Sequence, residues 1–197
     1  MGKSLFLTGD SGEGKTTLLF QCLEPYRSFV SGFFSQRLID KNQNTVGFRL
    51  ASAKEEWKPK AFYEGHLTNV FLRRENDNTF IFPEVFVTAG SNLLKNHENE
   101  KLILMDEIGG IELLIPEFME AIHRCLAGPA PCIGVVKSQK NLALMTKRSG
   151  GNLSLERLLT ELEEDLLKDQ RNRILTFQRS RKEVIRTEIL NFLKQST

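Results

Sequence analysis

A glycine-rich run near the start of the chain has the residue types that bind phosphate. It reads Gly9-Asp10-Ser11-Gly12-Glu13-Gly14-Lys15-Thr16-Thr17 and matches the P-loop pattern G-x-x-x-x-G-K-[ST]. Glycines let several backbone N–H groups point at one anion, and the helix that follows adds the positive end of its dipole. Lys15 would place a full charge at the β- and γ-phosphates, and the Thr16 hydroxyl would ligate Mg²⁺. We therefore predict that residues 9–17 bind a nucleotide, and that Lys15 also acts in catalysis.

A second candidate group is the acidic pair Asp106-Glu107, which follows the apolar run Leu102-Ile103-Leu104-Met105. An apolar strand that ends in acidic residues has the form of a Walker B motif, and ligands of α/β sheets bind at the carboxyl ends of the strands. Asp106 would hold the Mg²⁺ that Thr16 also ligates. Glu107 would orient or deprotonate a water molecule in line with the γ-phosphate.

The acidic pair also indicates which reaction the site performs. A glutamate after the Walker B aspartate is typical of P-loop proteins that activate water, whereas a kinase must exclude water from the γ-phosphate. Signalling GTPases need an Asn-Lys-x-Asp motif, which this sequence lacks. We therefore predict hydrolysis of ATP, GTP or another nucleoside triphosphate to the diphosphate and phosphate. The preferred base stays open.

The residues around both groups predict the elements that hold them. Ser4–Leu7 is a short apolar run that predicts a buried strand before the loop, and Thr17–Leu23 predicts a helix that ends at Glu24-Pro25. Further along the chain, buried-type strands alternate with helices that begin at Pro83 and Pro116. The last predicted elements are a strand at residues 173–177 and a helix at residues 183–194.

These elements predict an α/β fold. Strands at residues 29–36 and 45–50, joined by a polar turn, predict an antiparallel hairpin. Residues 51–78 have weak periodicity and are interpreted as loops with short elements. The whole pattern favours a P-loop NTPase three-layer sandwich, with a mainly parallel sheet, helices on both faces and the hairpin as an addition.

Composition limits the class of protein. The 197 residues carry 27 basic and 25 acidic side chains, so no global field favours nucleic acid or a membrane. No apolar run approaches the ~18 residues of a membrane span, and the first strand leaves no room for a signal peptide. The three cysteines lack metal-ligand or redox spacing. We expect one cytoplasmic domain over residues 1–197, with a candidate helical insertion near residues 139–171.

Three runs of the chain resemble those of the THEP-type nucleoside-triphosphatases, whose typical forms are G-F-Y-T-E, x-G-F and D-E-I-G-K-M-E-L. Their order and spacing agree across roughly the first 140 residues, and they are Gly32-Phe33-Phe34-Ser35-Gln36, Val46-Gly47-Phe48 and Asp106-Glu107-Ile108-Gly109-Gly110-Ile111-Glu112-Leu113. The resemblance implies a small Mg²⁺-dependent enzyme that slowly releases the γ-phosphate of ATP, GTP and other nucleoside triphosphates, with little base preference.

The chain departs from these runs at Gly110, where the family has a lysine, and more mildly at Ser35-Gln36. The missing lysine matters because charge that develops on the γ-phosphoryl group usually meets a second cation besides the P-loop lysine. We consider four arginines as replacements, each also interpretable as a solvated surface residue: Arg37, Arg148, Arg179 and Arg181.

The helix predicted at residues 153–170 carries a leucine stripe, Leu155, Leu158, Leu159, Leu162, Leu166 and Leu167. A stripe of this kind is usually core, and its alternative is a surface that binds a protein partner. The alternative function is therefore a nucleotide-gated switch or assembly protein whose hydrolysis a partner stimulates. A small-molecule kinase is a third interpretation, which the acidic character of this helix disfavours.

Overall fold

A mixed sheet forms the middle layer of the protein. The computed structural model describes residues 3–76, 78–95, 101–148 and 153–196. Within these residues the strands are β1 (Ser4–Thr8), β2 (Val30–Ile39), β3 (Thr45–Ser52), β4 (Lys60–Phe62), β5 (Val70–Glu75), β6 (Asn78–Ile81), β7 (Leu102–Ile108), β8 (Cys132–Val136) and β9 (Arg173–Thr176). They lie in the order β6-β5-β3-β2-β7-β8-β1-β9, and β4 pairs with β2.

Helices and short helical turns connect the strands. The α-helices of the described residues are α1 (Lys15–Leu23), α2 (Ser91–Leu93), α3 (Pro116–Ala127), α4 (Gln139–Arg148), α5 (Leu153–Lys168) and α6 (Lys182–Ser196). A π-helical turn (Phe86–Gly90) leads into α2, and 3₁₀ turns occupy Glu24–Phe29, Ile111–Leu114 and Arg179–Arg181. Proline occupies the first turn of α3, and Gly128 follows its end, as predicted from the sequence.

The strand that separates the two candidate motifs decides the geometry of the site. β2, β7, β8, β1 and β9 pair in parallel, and β8 lies between β1, which leads into the glycine loop, and β7, which carries the acidic pair. β2 and β3 form the predicted antiparallel hairpin. The carboxyl ends of β1, β8 and β7 therefore meet at one edge of the sheet.

Helices cover both faces of this sheet because the strands are apolar on both sides. In β1, Leu5 and Leu7 pack with the buried side chains of α1 and α6. Phe6, between them, points to the other face and packs with α3 and α5. The three-layer α/β prediction is confirmed.

Most of the leucine stripe of α5 lies in this second core, with Leu158 partly buried against it, whereas Leu167 is 54% exposed and lies outside it. Leu155, Leu159, Leu162 and Leu166 are at most 4% exposed and pack with Phe118 and Ile122 of α3. This burial agrees with the core interpretation of the stripe. Helices α4 and α5 together fill the segment between β8 and β9. Whether this pair is an insertion relative to other proteins stays a prediction.

The segment with weak periodicity contains more sheet than the sequence indicated. β5 pairs antiparallel with β3 and β6, which extends the hairpin into a four-stranded antiparallel region. The pattern was weak because these strands are partly or fully exposed, so alternation of apolar and polar residues is lost. Among the described helices, none has the length and apolar character needed to cross a membrane.

Candidate nucleotide-binding site

The glycine loop connects β1 to α1 and has the curled backbone that its sequence predicted. Gly9, Gly12 and Gly14 have φ angles of 137°, 80° and 101°. A Cβ atom at Gly9 would also lie 2.7 Å from the carbonyl oxygen of Phe177, so glycine is needed there for space as well as for conformation. The loop is open to solvent at Asp10, Ser11 and Gly12.

Lys15 begins α1, and its side chain folds back over the loop. Its Nζ donates hydrogen bonds to the carbonyl oxygens of Gly9 (2.9 Å) and Asp10 (2.7 Å), and the residue is only 6% exposed. Burial lowers the pKa of Lys15, although the carboxylates of Glu107, Glu13 and Asp106 oppose this effect. A partly desolvated ammonium at the start of a helix favours an anionic ligand.

Thr16 and Asp106 join the two motifs directly. The Thr16 hydroxyl donates a hydrogen bond to Oδ1 of Asp106, and the oxygens are 3.1 Å apart. Asp106 is 1% exposed, and burial, together with the nearby charge of Glu107, raises the pKa of its carboxyl to about 7. A buried carboxylate with a raised pKa is stabilised in its charged form by a cation.

This oxygen pair fits a magnesium ion that also binds phosphate. Among the residues that the structure describes, no cluster of three or more histidine, cysteine or acidic side chains could hold a metal. Mg²⁺ is usually held by one or two protein oxygens together with waters and substrate phosphates, so a complete protein cage is not expected. Thr16 and Asp106 supply a hydroxyl and a carboxylate, which are hard oxygen ligands of the kind Mg²⁺ prefers.

Glu107 is displaced from the regular ladder of the sheet. Asp106 pairs with Val135 and Ile108 with Val136, so Glu107 is an extra residue on β7 opposite β8. Bulges of this kind re-aim a side chain. Oε2 of Glu107 lies 2.8 Å from Nζ of Lys137, the residue that follows β8. The Lys137 side chain is 18% exposed and that of Glu107 29%.

Three carboxylates act electrostatically on the Lys137 ammonium, and that of Glu107 contacts it. Burial alone would lower the pKa of Lys137, but Glu107, Glu112 and Asp106 more than offset it, and the pKa is raised. Glu112 also shapes the loop after β7, because its Oε1 accepts hydrogen bonds from the N–H groups of Gly109 and Gly110, both at 2.6 Å. Lys137 therefore carries a charge at neutral pH.

Helix α4 touches the glycine loop from the other side. Asn141 donates a hydrogen bond to the Gly9 carbonyl oxygen (3.0 Å) and accepts one from the Ser11 N–H (3.3 Å). Nζ of Lys140 lies 2.6 Å from Oδ2 of Asp10 on the exposed side. The loop is thus held in part by residues far away in sequence.

The four arginines considered as replacement cations lie in different surroundings. Arg179 donates a hydrogen bond to the carbonyl oxygen of Gly12 (3.1 Å), which brings it to the loop. The Arg37 guanidinium lies 5.9 Å from the centroid of the Phe48 ring in the hairpin, and Arg181 is exposed. The side chain of Arg148 lies outside the described residues.

Sequence reasoning missed Lys137 and Asn141. One signal for Lys137 was present, because it is a charged residue directly after a buried strand, as Asp106 is. Applying the strand-end rule to Cys132–Val136 as well as to the acidic strand would have identified it. Asn141 gives no such signal, since a polar residue in an exposed helix turn is common.

The chain is similar to known nucleoside-triphosphatases. A family profile described as NTPase matches residues 4–157. A mouse protein named cancer-related nucleoside-triphosphatase homolog is 28% identical over 145 residues, which cover 66% of this chain and 72% of the mouse protein. Nucleoside-triphosphatase THEP1 of Sulfolobus acidocaldarius is 28% identical over 147 residues, which cover 67% of this chain and 75% of that protein.

Two solved structures share the fold. The solution structure of a human cancer-related nucleoside triphosphatase aligns with a TM-score of 0.65 and 18% identity, covering 100% of both chains. The crystal structure of THEP1 from Aquifex aeolicus aligns with a TM-score of 0.61 and 18% identity, covering 97% of this chain and 99% of the other. At this identity the likeness concerns the fold. Together with the profile match, it confirms the resemblance noted from the sequence.

Proposed function

Because this chain belongs to the NTPase family, we propose that it hydrolyses nucleoside triphosphates to the diphosphate and inorganic phosphate, with Mg²⁺ as its cofactor. The observation that carries the proposal is the 3.1 Å hydrogen bond from Thr16 to Asp106. It brings the phosphate-binding loop and the acidic end of β7 together, as a site for a magnesium-bound triphosphate requires.

Residues 9–17 would bind the triphosphate. The N–H groups of the loop and of the first turn of α1 would face the phosphate oxygens. Lys15 would exchange its hydrogen bonds to Gly9 and Asp10 for contacts with the β- and γ-phosphates. These bonds therefore hold the side chain over the site until the ligand replaces them.

Thr16 and Asp106 would hold the magnesium ion. When bound, the ion neutralises phosphate charge and withdraws electrons from the γ-phosphorus. Occupation of the site would also keep Asp106 in its carboxylate form, because a cation offsets the burial that now raises its pKa to about 7.

Glu107 would direct the attacking water. The water oxygen forms a bond to the γ-phosphorus, and the bond from that phosphorus to the β,γ-bridging oxygen breaks. The electron pair of the broken bond stays on the diphosphate, and a proton of the water passes to Glu107. The bulge in β7 supports this role, since it moves Glu107 out of the ladder beside Asp106.

The sequence left two other functions open. A kinase would transfer the γ-phosphate to a hydroxyl group in place of water, and a switch protein would hydrolyse quickly only with a partner. The burial of the α5 leucine stripe does not favour a partner surface on that face. We therefore expect hydrolysis by the chain alone.

Phosphate release from a panel of triphosphates and diphosphates, with Mg²⁺ and with excess EDTA, tests the proposal. We expect Mg²⁺-dependent release from ATP and GTP, and none from ADP or GDP. A panel of nucleosides and sugars in the same assay separates hydrolysis from phosphoryl transfer. Phosphorylated product in place of free phosphate, or no release from any triphosphate, would contradict the proposal.

A further inference from the structure

Strand β8 brings Lys137 to the middle of the proposed reaction site. Because β8 lies between β1 and β7, its carboxyl end emerges between the glycine loop and the acidic pair. The Lys137 N–H donates to the carbonyl oxygen of Ile108 (2.7 Å), which fixes the backbone at this point across from Glu107. No other strand end in the described sheet lies between the two motifs.

Two lysines belong to the site and feel the same carboxylates. Lys15 comes from the P-loop, where its Nζ donates to the carbonyl oxygens of Gly9 and Asp10, and Lys137 comes from the end of β8, where its Nζ lies 2.8 Å from Oε2 of Glu107. Asp106 and Glu107 act electrostatically on both ammonium groups, and the two lysines are close enough to repel each other. Two mostly buried cations at one site favour an anion that contacts both.

Lys137 also occupies the space beside Gly110. A Cβ atom built at Gly110 would lie 3.4 Å from Cε of Lys137. Gly110 has a φ of −120° and a ψ of −140°, so a side chain here would need a small backbone adjustment. In the family resembled by this chain, the lysine that follows Asp-Glu-Ile-Gly stands at this position. Here the same volume is reached by a lysine from the neighbouring strand.

We propose that Lys137 is the second cation of the phosphate site, and that it contacts the γ-phosphoryl group as charge develops during hydrolysis. In the free protein it pairs with Glu107. When the triphosphate enters, its γ-phosphate oxygens replace Glu107 as the partner of Lys137. Glu107 is then released to bind the attacking water. The inference rests on the proposed function, because it assigns a role within that same reaction.

The substitution Lys137→Met tests this role, because it keeps the length of the side chain and removes the charge. We expect kcat for ATP to fall about 100-fold or more, as when one group that stabilises transition-state charge is removed. The Kd for Mg·ATP should change by less than about threefold, since on binding Lys137 only exchanges the carboxylate of Glu107 for a γ-phosphate oxygen, and this contact gains strength as charge develops in the reaction. Affinity for Mg·ADP with aluminium fluoride, which imitates the transferring phosphoryl group, should fall in parallel with kcat.

Lys168→Met is the matched control, because Lys168 is an exposed lysine at the end of α5. It should keep the kcat of the unchanged protein. Mg·ATP binding by Lys137→Met shows that the site has folded, so a lost kcat cannot be attributed to unfolding. A kcat of Lys137→Met within about threefold of the unchanged protein would overturn this inference alone. Absence of hydrolysis by the unchanged protein would instead overturn the proposed function.

A second variant tests the position of the charge. Gly110→Lys in the Lys137→Met background places an ammonium near the same space from the loop that follows β7, and Oε2 of Glu112, 2.9 Å from the new Cβ, must shift. We expect recovery of at least about tenfold in kcat, because the requirement is for a cation at this place. A double variant that binds Mg·ATP and recovers no activity would contradict the inference.

Discussion

The two halves of the site are built in different ways. The P-loop half is one continuous run, residues 9–17, which is exposed at its tip and is contacted from outside by Asn141 and Arg179. The strand half is assembled from the ends of β7 and β8, where Asp106 is 1% exposed and Glu107 pairs with Lys137. The first half offers N–H groups and an ammonium, and the second offers carboxylates with one ammonium among them.

This difference indicates a division of work. An exposed loop of backbone donors can bind the phosphates with similar strength in the ground state and in the transition state. Such a loop contributes mostly to nucleotide affinity. Buried charged groups are strong only where water is excluded, and they act on charge that appears during the reaction. We therefore expect changes in the P-loop half to weaken affinity, and changes in the strand half to reduce turnover.

The largest effect is expected from Glu107→Gln. The amide keeps the shape of the side chain and cannot accept a proton, so kcat should fall by about 10²–10⁴-fold. Steady-state phosphate release from Mg·ATP measures this. Glu117→Gln, an exposed position on α3, is the matched control and should leave kcat unchanged. Equal rates for both variants would remove Glu107 from its role.

Lys15→Ala removes a charge from the P-loop half, so it should weaken nucleotide binding. Loss of charge-assisted contacts with the β- and γ-phosphates should weaken Mg·ATP binding by roughly 10- to 100-fold. Calorimetric titration with Mg·ATP measures this. The thermal midpoint of the nucleotide-free variant should not fall, because burial of Lys15 lowers its pKa and its charge is costly in the fold. Unchanged affinity for Mg·ATP would contradict the claim that the P-loop half supplies nucleotide affinity.

Asp106→Asn should stabilise the protein when metal and nucleotide are absent. The pKa of Asp106 is raised to about 7, so the folded chain keeps a proton that the unfolded chain loses above pH about 4. Its ionisation therefore destabilises the fold progressively as pH rises from about 4 to about 7. Urea unfolding in EDTA should show a gain of a few kcal/mol for the variant at pH 8 that disappears near pH 4. A gain independent of pH would contradict this cause.

The smallest effect is expected from Asn141→Ala, which removes the contact between α4 and the loop. Two neutral hydrogen bonds to Gly9 and Ser11 are lost, and water can replace them in part. The Kd for Mg·ATP should rise about two- to fivefold while kcat stays constant, because about 1 kcal/mol of loop organisation is lost. If kcat changed more than Kd, α4 would contribute to turnover, as the strand half does, and this prediction would be wrong.

The parts of the fold that are buried on both faces could be predicted from the sequence. β1, β7 and β8 are continuous apolar runs, and their alternation with helices indicated a parallel sheet. β5 could not be recognised, because its side chains are partly or fully exposed and its pairing with β3 and β6 is its main support. The antiparallel region therefore extends further than its first hairpin suggested.

The site was predictable to the same extent. Lys15 and Thr16 follow from a local motif, and Asp106 follows from an apolar strand that ends in acid. The pairing of Glu107 with Lys137 depends on which strand lies between β1 and β7 and on the bulge in β7. Such facts are properties of the assembled sheet, so this pairing could not be recognised from a local motif. Of the four arginines that the sequence suggested as a second cation, Arg179 lies at the loop.

The central claim is that the P-loop half supplies nucleotide affinity and the strand half supplies turnover. It is tested most directly by the nucleotide that Glu107→Gln retains. The variant is incubated with Mg·ATP, separated rapidly from free nucleotide, and the bound nucleotide is identified by chromatography. We predict about one ATP per chain, intact, because the P-loop half is unchanged and water activation is lost. Bound ADP formed at the rate of the unchanged protein, or no bound nucleotide at all, would contradict the account.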